Sequence, residues 1–267
     1  MCAIIPWEAF GGSLGHMCGR YVMFSSTETI VSGVGAMTRL RGGDGRGRIG
    51  VVGGGPTANW NIAPTHTVPV VREFVQAGQA GDDGDDGDPA LTLGPASWGY
   101  PAPWKKGLVL FNARGESVFD KPSFRGSQPC LFVMDGWYEW HEKRPYLVTG
   151  PGLLVVAGLC RPAREGEGLD ATIITTASAG PVGWLHDRMP RVLGIAGIAG
   201  PDTDGDISAV GAAEVHAWLS GTDDDRRTLA ASTPGGDVLD MLATREVDRR
   251  VGNVANNDAG LIDGVSD

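Results

Sequence analysis

The sequence predicts one α+β domain, a mixed β core flanked by a few helices. Three observations predict it. Short apolar runs recur along the chain, and several are wholly apolar, as expected of strands covered on both faces. Helical periodicity is confined to a few segments, and these do not alternate with the strands as regular βαβ repeats. No stretch reads as an interdomain linker, and 267 residues of which 42% are hydrophobic suit a single large globular domain. Such a strand-rich chain permits a barrel-like closure of the core.

Residues 1–16 contain no Lys or Arg and only a short apolar patch, Ala3 to Trp7, so they are no secretory signal. Gly11-Gly12-Ser13-Leu14-Gly15 has the form G-x-S-x-G. A nucleophile elbow needs a strand before it and a helix after it, and neither is predicted here. The segment reads as an extension, a misassigned start or a removable leader. Residues 18–24 read as a strand. Over 27–40, Ile30, Val31, Val34, Met37 and Leu40 follow a helical period, with Ser26 or Thr27 as cap. The glycine-dense stretch 42–55 lacks a phosphate-loop signature and reads as a flexible connection.

A strand over 67–74 carries Pro69, which implies an edge or an early position. Residues 76–89 form an acidic, glycine-rich insertion between two strands, expected to be mobile. Further strands are predicted at 91–98, 108–112, 129–134, 145–149, 153–159 and 171–176, and helices at 180–185, 211–220 and 237–243. The domain is expected to span 17–262, with 263–267 as a tail.

The net charge is −10, which argues against nonspecific nucleic-acid binding. The acid is uneven, however. Five aspartates fall within residues 81–88, and Asp223, Asp224 and Asp225 follow one another. Arg20, Lys105, Lys106, Arg114, Lys121, Arg125, Arg188, Arg191, Arg249 and Arg250 fall within or beside the conspicuous motifs and suggest a local basic face. No apolar run approaches a membrane span of roughly 18 residues, and the cytoplasm is the expected location. Cysteines stand at 2, 18, 130 and 160, without zinc-knuckle spacing. Cys130 and Cys160, within apolar runs, are expected to be buried. His16, His66, His141 and His216 lack metal-ligand spacing, so neither a metal nor another cofactor is expected.

Several residues carry chemistry. In Met17-Cys18-Gly19-Arg20-Tyr21, initiation at Met17 and loss of that methionine would leave Cys18 with a free α-amine beside its thiol. Both react near neutral pH, and together they capture an aldehyde as a Schiff base and then a thiazolidine. Asn112 ends an apolar strand, where its amide can orient an oxygen. Arg114, two residues on, shares its face and suits a phosphate. Glu139 lies between aromatics, where partial desolvation favours its protonated form and suits proton transfer. His186 precedes Asp187-Arg188-Met189-Pro190 and is the side chain best matched to proton transfer at neutral pH.

Six further blocks follow Met17 to Tyr21 in order: Asn61 to Thr65 with Pro64, Trp98-Gly99-Tyr100 with Trp104, Asn112 to Glu116, Asp135 to Trp140, His186 to Pro190, and Val251 to Val254. Together they resemble the SOS response-associated peptidase (SRAP) family, whose members cross-link to abasic sites in DNA. The resemblance runs from Met17 to about Ile262 and implies the family's barrel-like β core with flanking helices. It implies Cys18, Asn112, Glu139 and His186 as catalytic residues. Arg20, Pro64, Arg114 and one of Trp104 and Trp140 would face single-stranded DNA containing abasic sites, which is the implied partner. The implied place of action is the cytoplasm, at the nucleoid when DNA is bound. Gly115 stands where the family often has Ala, and Gly194 where Pro is common; both departures read as tolerable. Two rivals differ in class: a cysteine peptidase or autopeptidase using Cys18, Glu139 and His186, and a single-stranded DNA binder that forms no bond.

Overall fold

The computed structural model describes residues 19–38, 49–73, 91–164, 167–198 and 208–265. The extension 1–16, Cys2, Met17, Cys18 and the acidic stretch 76–89 lie outside the described residues. The strands, in chain order, are β1 (Arg20–Met23), β2 (Ile49–Val51), β3 (Asn59–Ile62), β4 (Thr67–Glu73), β5 (Leu91–Trp98), β6 (Tyr100–Pro101), β7 (Val109–Leu110), β8 (Asn112–Arg114) and β9 (Gln128–Met134). They continue as β10 (Gly136–His141), β11 (Arg144–Thr149), β12 (Leu153–Pro162), β13 (Leu169–Ala177), β14 (Arg188–Pro190), β15 (Val192–Ile198), β16 (Ser208–Val210) and β17 (Ala243–Glu246). The helices are α1 (Thr27–Thr38), α2 (Ala212–Ser220), α3 (Asp223–Ala231) and α4 (Gly236–Leu239).

The core is a ring-like mixed sheet. Strands β13, β5, β4, β9 and β12 follow one another, and β12 pairs back to β13. β13 is the strand that positions the site. Its first half pairs with β12 and β5, whereas its second half leaves both and is flanked by β8 and β14. Pro69 does sit early in its strand: it faces Pro95 across the β4–β5 pair, and pairing to β9 begins only at Val70. No ladder N–H is therefore lost to either proline.

A second, five-stranded sheet has the order β17-β11-β10-β1-β3. It grows out of the ring because β9 runs directly into β10. Asp135 at that junction accepts hydrogen bonds from the backbone N–H of Phe24 (2.6 Å) and Ser25 (2.9 Å) and from the Ser25 hydroxyl. Side chains of this sheet alternate between two environments, as the period of a strand requires. Tyr21, Met23, Trp137 and Val148 join the main core. Val22, Tyr138 and Leu147 pack on the other face with Val247, Val251 and Leu261.

Helices α1 and α2 cover the ring with Ile30, Val34, Met37, Val215, Trp218 and Leu219, all buried. The Trp218 indole N–H donates to the carbonyls of Cys130 (3.0 Å) on β9 and Gly158 (3.3 Å) on β12. A helix face is thereby fastened to the ring by a polar bond as well as by apolar area. Cys130 and Cys160 are buried free thiols, as their apolar settings imply.

Three expectations are corrected, and the acidic run 223–225 gains a structural reason. The connection 42–55 contains β2, which pairs in parallel with β5; a three-residue edge strand is too short to show periodicity among glycines. The helix expected over 180–185 is one 3-10 turn, Gly180–Val182, because Pro181 and two glycines do not support a longer one. The helix expected over 237–243 is α4, which ends at Leu239, and the chain then enters β17. The aspartates 223–225 are the first turn of α3, where Thr222 and Asp225 form a capping box. Carboxylates there meet the positive end of the helix dipole. Among the described residues no helix is long and apolar enough to cross a membrane.

Candidate functional site

The motif blocks converge because of β13 and β10. Asn112 and Arg114 on β8 pair in parallel with Ile173 and Thr175 of β13. Arg188 on β14 pairs with Ala177 on the opposite edge of the same strand. A bidentate ion pair then closes the two blocks onto each other: Arg188 Nη2 lies 2.8 Å from Glu116 Oε2, and Nη1 bonds Oε1. Arg188 Nη2 also donates to the Thr175 carbonyl (2.6 Å), which accepts the Gly115 N–H (2.9 Å) as well. The Arg188 guanidinium holds the Glu116 carboxyl below its ordinary range, since a bidentate cation favours the charged form.

His186 sits two residues before Arg188 with its side chain 18% exposed. The Arg188 backbone N–H donates to His186 Nδ1 (3.0 Å). In the neutral ring that bond leaves the proton on Nε2. Asp187 Oδ1 lies 2.8 Å from the same Nδ1, so this nitrogen accepts from the Arg188 N–H or, when it carries the proton, donates to Asp187. The ring thus meets a hydrogen-bond donor and an acceptor at one nitrogen, an arrangement suited to proton transfer.

Glu139, in the middle of β10, is 3% exposed, and the Trp140 N–H donates to its Oε1 (3.1 Å). β1 runs antiparallel to β10 with Arg20 opposite Tyr138 and Tyr21 opposite Trp137. β1 therefore begins opposite Tyr138, the residue next to Glu139 in β10. The other end of the site is joined through aromatic rings. Tyr21 meets Trp98 edge-on (5.2 Å), and the Trp98 indole N–H donates to the carbonyl of Phe111 (2.9 Å), the residue before Asn112. Trp98 is wholly buried and acts as the pillar between β1 and β8.

Arg20 and Trp140 lie on the opposite face of this sheet from Glu139. Arg20 Nη1 donates to Asn61 Oδ1 (2.9 Å) and the Val251 carbonyl (2.7 Å), and Trp140 packs with the Val251 cluster. Asn61, 1% exposed, donates through Nδ2 to the carbonyls of Val251, Asn253 and Asn256 at 2.9–3.2 Å. Arg20 and Asn61 thereby stitch the C-terminal segment against the start of the fold. Pro64 lies in the turn Ala63 to His66, closed by the His66 N–H to the Ala63 carbonyl (3.1 Å). Thr65 there has φ 75°, a strained value for a β-branched residue. Trp104 is 62% exposed, on the loop between β6 and β7.

Two residues escaped the sequence reading. Asn61 opens the same block as Pro64, and that position was its signal. His66 sits close enough to Arg20 that burial, and then the guanidinium, lower its pKa below the ordinary histidine value. Its place directly after Pro64-Thr65 was the available clue. The expected basic face is corrected at Arg191, which is 0% exposed. It bonds the Leu229 carbonyl (2.7 Å), Glu214 Oε2 (2.9 Å) and Ser232 Oγ (3.1 Å), all in the helical layer. Arg114, Lys105 and Lys106 are exposed and make no ion pair among the described residues. Gly115 and Gly194 prove to be required by packing. A Cβ on Gly115 would lie 1.8 Å from the Ala230 carbonyl, and one on Gly194 would lie 2.3 Å from that of Val210. Among the described residues no group of three His, Cys, Asp or Glu side chains could hold a metal ion.

Known proteins resemble the chain in sequence and in fold. The chain is 28% identical over 194 residues to the abasic site processing protein YoqW of Bacillus subtilis, covering 66% of this chain and 76% of YoqW. It is 31% identical over 130 residues to the abasic site processing protein HMCES of Xenopus tropicalis, covering 37% of this chain and 39% of HMCES. In fold it matches a crystal structure of a phage-related protein from Bordetella bronchiseptica with a TM-score of 0.56 and 21% identity, over 86% of this chain and 94% of that one. The model of the SOS response associated peptidase (SRAP) family matches residues 17–200, well over half of the chain, and the protein belongs to that family.

Proposed function

We propose that the protein recognises abasic sites in single-stranded DNA and bonds to them covalently through Cys18, shielding the lesion. The observation that carries this reading is the β1–β10 register. Arg20, two residues after Cys18, enters the sheet opposite Tyr138, the neighbour of the buried Glu139, while the blocks of Asn112 and His186 are joined by the Glu116–Arg188 pair. The names of YoqW and HMCES, abasic site processing proteins, support the same substrate.

The chemistry needs a free amine on Cys18, so the active protein begins there, through initiation at Met17 or removal of residues 1–17. The amine adds to the C1′ aldehyde of the open-chain sugar, and water leaves to give a Schiff base. The thiol then adds across the C=N bond, sulfur to C1′ and hydrogen to nitrogen, closing a thiazolidine. Glu139 and His186 move protons at the ring oxygen, the amine and the departing water. Asn112 orients the sugar. Arg114, exposed and without an ion pair among the described residues, takes a phosphate, and Trp104 or Trp140 meets a base. This activity belongs at the nucleoid, in the cytoplasm.

The test is incubation of Met17-initiated protein, stripped of that methionine, with an abasic-site oligonucleotide, followed by a denaturing gel and intact mass. A denaturant-stable adduct lost in Cys18→Ser, and absent from the uncleaved 267-residue chain, is the expected result. Turnover of a peptide without an adduct would mark a peptidase. A shift on a native gel alone would mark a non-covalent binder. An adduct surviving in Cys18→Ser, or containing residues 2–17, would overturn the thiazolidine at Cys18.

A further inference from the structure

A half-exposed aromatic side chain that other rings hold in place offers a preformed flat surface for stacking. Trp184 is 48% exposed, yet its ring is clamped on two sides. It meets His141 edge-on at 5.1 Å with an interplanar angle of 72°, and Tyr146 at 5.0 Å and 84°. His141 is itself held, its Nδ1 lying 3.3 Å from the carbonyl of Leu185, a buried residue. An indole held by two neighbouring rings yet half open to solvent is pre-organised, and little conformational entropy remains to be lost when a flat partner lands on it.

The cluster is continuous with the site. Tyr146 is the direct cross-strand partner of Glu139 on the β10–β11 pair, so the two side chains project from one face. His141 is two residues beyond Glu139 and shares that face. Trp184 is two residues before His186. The aromatic surface therefore begins at Tyr146, the cross-strand neighbour of Glu139. The two exposed or half-exposed tryptophans within the sequence motifs stand elsewhere: Trp140 packs on the opposite face of the sheet, and Trp104 belongs to the β6–β7 loop.

We propose that Trp184, clamped between His141 and Tyr146, is a stacking platform for a nucleobase adjacent to the lesion. The occupant is a base because the surface is a single flat ring next to a site for a missing base. A strand entering that site must also carry its neighbouring bases past Trp184. Stacking would hold the strand on the Glu139 side of the sheet and set how far the baseless sugar can slide, without reading sequence. The inference rests on the reading of the site as one for abasic single-stranded DNA.

The experiment uses fluorescence anisotropy with single-stranded oligonucleotides carrying a tetrahydrofuran abasic analogue, which has no aldehyde and so reports binding alone. Base–aromatic stacking predicts that Trp184→Ala weakens binding by roughly 5- to 150-fold. Trp184→Phe should retain most of the affinity, and Trp184→Leu, apolar but without a ring face, should behave like Trp184→Ala. A second tetrahydrofuran is then walked along the flanking positions. At one position, removal of the base should weaken wild type by the same factor and leave Trp184→Ala unchanged. Equal affinity of wild type and Trp184→Ala, or Leu performing as well as Phe, would overturn the platform. A wild-type scan with no sensitive flanking position would do so without any variant. Failure of wild type to bind abasic single-stranded DNA at all would overturn the reading of the site itself, and the platform with it.

Discussion

Arg188 and Arg191 stand three residues apart and serve two different regions. Arg188 turns toward the motif-lined end of β13, where it pairs with Glu116 and keeps 12% of its side chain exposed. Arg191 turns into the layer of α2 and α3, keeps none exposed, and meets Glu214. Between them the chain breaks from β14 to β15, with the Arg191 N–H on the Ile174 carbonyl (2.8 Å) and its own carbonyl on the Ala157 N–H (2.9 Å). The motif-lined region is fastened by ion pairs and side-chain bonds that leave Arg114 and part of His186 at solvent. The helical region is closed by buried apolar side chains and by backbone contacts at Gly115 and Gly194 that admit no side chain. The proposed chemistry falls in the first region, and the closest backbone packing in the second. A residue's charge in the sequence does not say which of the two it belongs to.

That division can be broken by experiment. The largest effect is expected where chemistry resides. His186→Ala and Glu139→Gln should each slow formation of the covalent adduct by about 10²–10⁴-fold, with little change in melting temperature. Quenched time courses on denaturing gels measure the rate, and rates within twofold of wild type would detach both residues from the mechanism. Next, Arg191→Met should cost about 1–3 kcal/mol of stability in urea unfolding, because it removes the bonds that the buried guanidinium makes to Glu214, Ser232 and the Leu229 and Val192 carbonyls. Arg188→Met should cost less than half of that, since the Glu116 left behind has a side chain 43% exposed and can be rehydrated. Equal costs would erase the distinction between the regions.

Gly115→Ala should cost about 1–3 kcal/mol. The added methyl would sit 1.8 Å from the Ala230 carbonyl, so β8 or α3 must shift. A loss below about 0.5 kcal/mol, the scale of an unconstrained surface change, would show that α3 rides loosely.

The smallest effect sharpens the comparison through pH. Glu116→Gln should cost about 1 kcal/mol or less at pH 7, as befits a half-exposed pair. The folded carboxyl lies below its ordinary 4.5, so its contribution is fully present above that value and is lost as pH falls through the folded value. The stability gap between wild type and Glu116→Gln should therefore close below about pH 4.5. His66, held below its ordinary 6.5, acts in another window. Its contribution is present above 6.5 and declines as pH falls toward the lower folded value. A gap between wild type and Glu116→Gln that stays constant to pH 3 would show that Glu116 and Arg188 are not coupled in solution.

Much of the fold was legible from pattern. The period of Ile30, Val34 and Met37 marks α1, and the apolar runs mark β4, β5, β9, β12 and β13, because these elements bury a regular face or both faces. Strands β3, β10 and β14 were read as motifs only, since polar and aromatic residues at functional positions mask the strand period. The start of α3 was visible in principle: Thr222 with Asp225 three residues on is a capping box, and the charge run distracted from it.

The sequence alone determined the residue types, their order and the family to which they belong, because those are properties of spacing along one chain. It also determined the chemistry available to an amine and a thiol on one cysteine. Tertiary structure decided which residues share a face. Alternation along β10 sets Glu139 with Tyr146 and Trp184 and sends Trp140 to the Val251 cluster. The splayed end of β13 brings Glu116 to Arg188 across 72 residues of sequence. Burial turned Arg191 from a surface cation into a clamp, and the approach of α3 made Gly115 indispensable. These outcomes depend on distance and solvent exclusion between elements far apart in the chain, which no local pattern records.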